Sequence, residues 1–251
     1  MDELQLLIEL HKSGARQGPG STKATEQALL LADIASEKTL RVADIGCGTG
    51  ASSLVLARSL NAHITAVDFL QEFLDKLEKQ VREEGIEEKI TTLCASMDDL
   101  PFAEASLDLI WSEGAIYNMG FEAGISAWRD YIKPGGLLVV SEITWLTAHQ
   151  PDELRAHWQA EYPEIATASQ KIAALEKHGY SPVGYFVLPE SCWLENYYGP
   201  MEGRFKDFLD VTGNSEEAQA IVAAERKEMD LYNKYKNYYG YGVYIARKLS
   251  V

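Results

Sequence analysis

The sequence predicts an α/β protein in which a mostly parallel sheet lies between two layers of helices. Two observations predict it. Between Leu40 and Leu188, short apolar segments with strand character alternate with amphipathic helical segments, and the first strand ends in a glycine-rich loop that opens a helix. Such alternation is typical of parallel strands joined by right-handed crossovers. The 251 residues, 46% of them hydrophobic, are enough for one large core or two smaller ones.

The elements follow one another in a regular order. The pattern predicts strands at residues 40–45, 63–68, 90–94, 107–112 and 137–143, with helices between them at 51–60, 70–84 and 122–132. Turn-forming residues stand where these elements should end, at Gly85, Pro101, Gly179 and residues 134–136. Two helices at 3–12 and 22–35, joined by a glycine-rich segment, predict an N-terminal helical cap over residues 1–37.

The last quarter of the chain differs in character from the rest. Residues 185–244 hold 13 of the 25 aromatic residues, and strands are predicted at 181–188 and 239–247. We therefore divide the chain into a sheet domain (38–188 and 239–251) and a helical insertion (189–238). The insertion aromatics form either a second small core or a lid whose inner face contacts a ligand. The aromatics at residues 235–241 leave a third alternative, an exposed homodimer surface.

Charge and composition exclude several classes of partner. Lys and Arg number 23 against 38 Asp and Glu, so the net charge is −15, which argues against nucleic acid and anionic membrane surfaces. No apolar run reaches the roughly 18 residues of a membrane span, and the acidic N-terminus is unlike a signal peptide. Three scattered cysteines predict neither disulfides nor a zinc site. These features predict a cytoplasmic protein without a metal.

The glycine-rich loop carries the strongest functional indication. It has the form Gly46-x-Gly48-x-Gly50, with Asp44 two positions before it and Asp68 at the end of the next strand. Glycines let the backbone approach a ligand, and a carboxylate at the second strand end accepts hydrogen bonds from ribose hydroxyls. The spacing differs from the Gly-x-Gly-x-x-Gly of dinucleotide-binding folds. It favours a ligand with a positive charge or many hydroxyls over a pyrophosphate.

With these motifs the chain resembles the class I S-adenosylmethionine-dependent methyltransferases, from about Ala24 to Arg247. It is similar to the small-molecule branch that includes the ubiquinone- and menaquinone-biosynthesis enzymes. Segments 16–20, 96–102 and 111–118 resemble a group of uncharacterised prokaryotic members. The resemblance implies a Rossmann-like sheet of seven strands in the order 3-2-1-4-5-7-6. It also implies S-adenosylmethionine as cofactor and S-adenosylhomocysteine as product. The long insertion departs from the family pattern.

The resemblance also implies roles for the residues that match the family motifs. Gly46, Cys47, Gly48 and Gly50 cradle the methionine part of the cofactor, with Asp44 near its ammonium. Asp68 holds the ribose, and Phe69 packs on the adenine. Ser96, Met97 and Asp98 form the adenine-binding segment, while Glu113 and Gly114 line the methionine end. Taken alone, Asp68 is an ordinary strand end and Asp98 a helix cap.

Catalytic residues are harder to assign, because a sulfonium methyl group is already activated and transfer needs mainly alignment and exclusion of water. A general base is needed only if the nucleophile carries a proton of high pKa. The candidate catalytic residues are Tyr117, His149 and Glu113. The candidate substrate-binding residues are Gln17, Tyr117, Asn118, Trp145, His149, Trp193 and Tyr197. The alternatives are that His149 is a surface turn residue and that Glu113 binds the cofactor or stabilises the fold.

The sequence thus predicts a methyltransferase that acts by in-line displacement on a small, largely apolar or aromatic metabolite. The first alternative is an S-adenosylmethionine-binding sensor or partner protein without turnover. A protein methyltransferase is a less favoured alternative, which would need a pocket mouth that is open and not capped by aromatic helices. The glycine spacing, Asp44 and the terminal strand pair count against a nicotinamide-dependent oxidoreductase. The Asn/Asp-Pro-Pro-Tyr tetrad of base and amide methylation is absent, since no two prolines are adjacent. The first helix, with a hinge at residues 18–20, is a candidate lid that brings Gln17 to the pocket.

Overall fold

The computed structural model describes residues 1–34 and 38–250. The strands are β1 Leu40–Ile45, β2 Ala62–Asp68, β3 Ile90–Cys94, β4 Leu107–Glu113, β5 Ile132–Trp145, β6 Ala166–Thr167, β7 Tyr180–Val187 and β8 Tyr239–Lys248. The helices are α1 Glu3–His11, α2 Thr22–Ala32, α3 Ala51–Ser59, α4 Gln71–Glu84, α5 Phe121–Arg129, α6 Asp152–Glu161, α7 Ala168–Lys177, α8 Glu190–Trp193, α9 Gly199–Val211 and α10 Glu216–Tyr235. A 3₁₀ turn spans Ile116–Asn118, and a π-helical turn, Leu194–Tyr198, joins α8 to α9.

One sheet organises the described residues, with the strand order β3-β2-β1-β4-β5-β8-β7. The first five strands are parallel, and β8 lies antiparallel between β5 and β7. The order implied by the family resemblance is therefore confirmed, with β7 and β8 as its sixth and seventh strands. The two-residue β6 is an addition that pairs with the end of β5.

Both faces of the sheet are buried, which explains the nearly continuous apolar runs of its parallel strands. Val42 in β1 points into a core shared with α2, α3 and α4, whereas Ala43 points into a second core shared with α5 and α7. Helix α4 shows how the sequence selects this packing. Its apolar residues at i, i+1, i+4 and i+8 (Phe73, Leu74, Leu77 and Val81) are buried, while the opposite face is charged.

The predicted boundaries differ from the structure in three places. The predicted helix 122–132 ends at Arg129, because Ile132 already pairs with Leu107 and begins β5. The predicted helix 22–35 ends at Ala32, followed by Asp33 in the left-handed region at φ 46°. Its predicted end at residue 35 lies outside the described residues. Helices α6 and α7, with β6, were assigned to no element by the sequence, although a capping box of Thr167 and Gln170 starts α7.

The insertion is helical, as predicted, and its aromatics do not form a separate second core. Trp193 and Tyr232 belong to the same apolar cluster as Leu6 of α1 and the sheet residue Val139. The expectation of an exposed aromatic surface at residues 235–241 is wrong. Tyr235 and Tyr239 are buried, because the last turn of α10 and the start of β8 both face inward. Within the described residues, no helix combines the length and apolar character that crossing a membrane requires.

Candidate active site

Two adjoining cavities lie at the carboxyl edge of the parallel strands, where ligands bind in open α/β sheets. The first, of about 180 Å³, is lined by the loop after β1 and is called here the glycine-loop cavity. The second, of about 340 Å³, lies against the helical insertion and is called the aromatic cavity. The two share one wall, formed by Gln17, Gly18, Pro19, Gly114 and Tyr117.

The glycine loop needs its glycines for close approach as well as for backbone conformation. Gly46 and Gly48 have φ values of 72° and 55°, in the region that side chains rarely adopt. A Cβ atom at Gly46 would lie 2.3 Å from the Cβ of Ala115, and one at Gly48 would lie 2.2 Å from Oε1 of Gln17. The loop thus leaves bare backbone against the cavity, a surface that accommodates an elongated polar ligand.

Asp68 fixes the other side of the glycine-loop cavity. Its Oδ2 accepts the Gly48 N–H at 2.9 Å, and its Oδ1 accepts the Leu70 N–H at 3.0 Å. Burial raises the pKa of this carboxyl, and the backbone N–H groups oppose the rise by stabilising the charged form. The carboxyl lines the cavity at the end of β2, the position predicted for a ribose-binding acid.

Asp44 lies behind the cavity wall and not in it, unlike the sequence expectation that places it against the ligand. Its Oδ2 accepts hydrogen bonds from Ser52 at 2.7 Å and Ser53 at 2.6 Å, and the side chain is fully buried. Burial raises its pKa to about 7 despite these two hydroxyls. Its second oxygen, Oδ1, has no hydrogen-bond partner in the described part of the chain. A buried acceptor without a partner is costly unless a ligand or water satisfies it.

Glu113 anchors the N-terminal segment and is poorly placed to act as a base. Its carboxylate accepts hydrogen bonds from Arg16 at 2.6 Å, Thr25 at 2.6 Å and the Trp111 indole at 3.0 Å. With both oxygens engaged, the catalytic role predicted for Glu113 loses support. Glu113 also lines the glycine-loop cavity, so both of its alternative roles, in cofactor binding and in stabilising the fold, fit the geometry. Arg16, which also lines the glycine-loop cavity, was not among the predicted site residues. The sequence feature that could have identified Arg16 is its position in segment 16–20, which resembles the corresponding segment of the prokaryotic group.

Gln17 holds the segment between α1 and α2 across the glycine loop. Its Oε1 accepts the Thr49 N–H at 2.9 Å, and its Nε2 donates to the His11 carbonyl at 3.3 Å. Thr49 Oγ1 donates to the Gly14 carbonyl at 3.1 Å, and Lys76 Nζ donates to the same carbonyl at 2.7 Å. We call residues 13–19 the N-terminal strap, since they cover the loop and form the wall between the cavities.

The other residues predicted to bind the cofactor divide into two groups. Cys47, Phe69, Met97 and Gly114 line the glycine-loop cavity. Gly50 does not line it. This glycine caps α3 at φ 90°, where a Cβ atom would lie 2.1 Å from Leu77, so it serves helix packing. Ser96 and Asp98 are exposed, bond to each other and line neither cavity, so the adenine contact expected of them does not appear in the geometry.

The aromatic cavity contains part of the predicted substrate-binding set. Gln17, Tyr117, Trp193 and Tyr197 line it, whereas Asn118 lines the glycine-loop cavity instead. Sequence reasoning missed Trp158, Glu161, Tyr162, Glu228, Tyr239 and Tyr241. Most of these lie on α6, α10 and β8, where no motif marks them, and α6 itself was not predicted.

Two of the residues predicted to bind the substrate, Trp145 and His149, line neither cavity. Trp145 is half-buried against the core and pairs with Tyr239 across β5 and β8. His149 is exposed in the segment after β5, where its carbonyl accepts a hydrogen bond from Thr147 at 2.9 Å. The prediction of His149 as a base or substrate ligand is not supported by this position, and its alternative as a surface turn residue fits it.

A buried acid lies close to the aromatic cavity. Glu142 in β5 is 1% exposed, and burial raises its pKa to about 7 although Lys171 lies 4.0 Å away. The desolvated Tyr162 phenol lines the cavity, and the nearby Glu142 carboxylate raises its pKa further. Glu142 and Lys171 therefore compensate each other inside the protein, and the cavity side presents a neutral phenol.

Comparisons with known proteins agree with this architecture. Residues 42–136 match a family model described as a methyltransferase domain. A dimethylglycine N-methyltransferase from Parasynechococcus marenigrum is 34% identical over 102 residues, covering 40% of this chain and 36% of that protein. The chain matches only about half or less of the length of the first curated relatives.

Solved structures extend the likeness over nearly the whole chain. A methyltransferase from Geobacter sulfurreducens in complex with S-adenosylhomocysteine shares a TM-score of 0.83 at 17% identity, covering 96% of this chain and 97% of that one. The [4+2]-cyclase SpnF has a TM-score of 0.75 at 21% identity, covering 98% and 94%. These identities establish the shared fold. The chain therefore has the fold of S-adenosylmethionine-dependent methyltransferases, and its residues 42–136 match a methyltransferase domain.

Proposed function

We propose that the protein transfers a methyl group from S-adenosylmethionine to a small molecule held in the aromatic cavity. The observation that carries the proposal is the common wall of the two cavities, in which Gly114 and Tyr117 face both. A donor in the glycine-loop cavity and an acceptor in the aromatic cavity would meet at this wall. The names of the relatives, which include N- and O-methyltransferases, support the same activity.

The residues of the glycine-loop cavity fit the proposed cofactor. Bare backbone at Gly46 and Gly48 makes room for its methionine part, Asp68 is placed for ribose hydroxyls, and exposed Phe69 offers an adenine-stacking face. Asp44 lies buried behind the loop, and its unpartnered oxygen can be satisfied through a bridging water. A cationic group of the cofactor nearby would favour the charged form of this carboxyl. When bound, S-adenosylmethionine supplies a methyl group activated by a sulfonium.

This chain then has to align the acceptor and keep water out. The strap residues Gln17 to Pro19 close one side, and Trp193 and Tyr197 of the insertion close another, which gives the insertion the role of a substrate lid. Tyr117 lies where the cavities meet. Desolvation, with the carboxylates of Glu142 and Glu228, raises the pKa of its phenol, so Tyr117 acts as a hydrogen-bonding group and not as a base.

Labelled methyl transfer tests the proposal. The purified protein is incubated with methyl-labelled S-adenosylmethionine and a cell extract separated by size. Label in the small-molecule fraction is expected, and label confined to macromolecules would contradict a small-molecule acceptor. Cofactor binding without any transfer would favour the sensor alternative. Asp68→Ala is expected to abolish binding of S-adenosylhomocysteine, while the matched control Asp75→Ala, an exposed position on α4, retains it.

A further inference from the structure

We propose that the aromatic cavity binds an amine acceptor and stabilises the positive charge that methylation places on its nitrogen. The inference rests on the proposed function, because it names the chemical class that the acceptor side takes. It departs from the largely apolar or aromatic metabolite that the sequence predicts. Aromatic walls fit both classes of acceptor, so the charge of the cavity has to decide between them.

The charged groups that line the cavity have one sign. Glu161 and Glu228 contribute carboxylates, and the described lining residues include no Lys or Arg. His157 also lines the cavity, and burial lowers the pKa of its ring, which disfavours the charged imidazolium. The described part of the lining thus contains two carboxyl groups and no Lys or Arg to compensate them.

Glu228 is the better shielded of the two acids. It is half-buried on α10, and its Oε1 accepts a hydrogen bond from Tyr198 at 2.8 Å, which fixes its position. Burial raises the pKa of Glu228, and the Tyr198 hydrogen bond and His11 of α1 oppose the rise. His11 itself lies 3.8 Å from a competing acid, Glu225. A shielded carboxylate without a dedicated cation favours a ligand that brings one.

The aromatic side chains suit the same ligand. Seven of the fifteen lining residues are Trp or Tyr. Trp193 links Tyr239 and Tyr241, with ring centroids 6.2 and 5.3 Å apart, and Trp158 lies 5.2 Å from Tyr239. The faces of such rings attract ammonium groups. A neutral apolar acceptor would use these rings but leave Glu228 uncompensated, and an anionic acceptor would be repelled.

The chemistry explains why this charge matters to the reaction. The lone pair of the free amine forms the new nitrogen–carbon bond while the sulfur–carbon bond breaks, with its electron pair left on sulfur. Positive charge therefore passes from sulfur to nitrogen, and a protonated amine must first have lost its proton to water. Carboxylates and ring faces around the acceptor stabilise the charge where it arrives, which favours the transition state over the ground state.

A pair of probes of equal shape tests the inference by binding alone. Choline carries a quaternary ammonium, and 3,3-dimethyl-1-butanol is its neutral counterpart with carbon in place of nitrogen. Each is titrated into the full chain saturated with S-adenosylhomocysteine, with heat and tryptophan fluorescence as readouts. Choline is expected to bind about tenfold more tightly than the alcohol. Equal affinities would overturn the inference.

Variants assign the preference to the acids of the cavity. Glu228→Gln keeps an acceptor for the Tyr198 hydroxyl and is expected to reduce the preference to about threefold or less. Glu161→Gln, at an exposed position that does not endanger folding, is expected to reduce it as well. Asp230→Asn, at an exposed position on the same helix and outside the cavity lining, is the matched control and keeps the full preference.

Two outcomes separate this inference from the proposed function. If neither Glu228→Gln nor Glu161→Gln changes the preference for choline, the cavity does not recognise the charge and the inference fails. If the protein does not bind S-adenosylhomocysteine in the first titration, the proposed function fails and the inference falls with it. Normal cofactor binding with equal probe affinities overturns the inference alone.

Discussion

Replacing Gly46 by alanine tests whether the glycine loop is shaped by contact with Ala115, in the segment after β4, or only by backbone conformation. The structure separates the two costs. A residue other than glycine at φ 72° costs about 1–2 kcal/mol in the left-handed region. The added Cβ atom would also lie 2.3 Å from the Cβ of Ala115, a backbone-anchored atom that cannot rotate away. Overpacking of this kind costs about 1–3 kcal/mol.

Gly85 provides the matched control. It has a similar φ of 66°, at the C-terminus of α4, and an added Cβ atom would meet nothing within 4 Å. Gly85→Ala is therefore expected to lower the free energy of unfolding by about 1–2 kcal/mol. Gly46→Ala should lower it by about 2–5 kcal/mol, because the steric cost adds to the conformational one.

Denaturant unfolding measures both variants, and calorimetric titration measures their affinity for S-adenosylhomocysteine. The displaced loop in Gly46→Ala should weaken cofactor binding by at least tenfold, whereas Gly85→Ala should bind normally. Unfolding free energies within about 0.5 kcal/mol of each other, with normal binding by both, would refute the close approach of the loop to Ala115.

Three further predictions concern the same cavity. The pKa of Asp44 is raised from 3.8 to about 7 in the folded protein, so its stabilising contribution is present below pH 3.8 and lost as the pH rises through 7. The free energy of unfolding should therefore fall over this pH range, and Asp44→Asn should reduce the fall. An unchanged pH profile in the variant would contradict the raised pKa. Gln17→Ala should release the strap and speed tryptic cleavage after Arg16 several-fold. S-adenosylhomocysteine should slow that cleavage in the unmodified chain. A cleavage rate that is the same in all three cases would argue against the strap as a lid. Phe69→Ala should weaken S-adenosylhomocysteine binding about tenfold with little effect on stability, and the exposed control Leu30→Ala should change neither quantity, so equal binding by both variants would argue against stacking.

The fold was predictable because its determinants are local in sequence. Each buried strand is a short apolar run, and Asp44, Gly46 and Asp68 sit at fixed distances around β1 and β2. Where strand and helix patterns overlap in the sequence, the observed element boundaries differ from the predicted ones, as at the junction of α5 and β5. Residues 132–136 contain two glycines and a proline but still belong to β5. Ile132 pairs with Leu107 of β4, and a register shift separates this pair from the next one, Leu137 with Leu109.

Hydrogen bonding between residues separated in sequence determines the surroundings of two predicted site residues. Glu113 stands after β4 like a catalytic acid, yet Arg16, 97 positions away, engages its carboxylate. Asp44 has the spacing of a ligand-binding acid, yet Ser52 and Ser53 turn it inward. Sequence spacing predicts the position of a residue on its helix or strand, but it does not predict which side chains form hydrogen bonds with that residue in the folded protein.

The acceptor side illustrates the limit of sequence comparison itself. All residues lining the glycine-loop cavity outside the strap lie between 46 and 118, within the matched methyltransferase domain. Of the residues lining the aromatic cavity, Gly114 and Tyr117 lie within that match. The rest come from the strap, β5, α6 and the residue after it, α8, the π-helical turn, α10 and β8. No spacing rule connects these segments. The domain match therefore covers the glycine-loop cavity, where the methyl donor is proposed to bind. The class of acceptor has to be inferred from the charge and shape of the aromatic cavity.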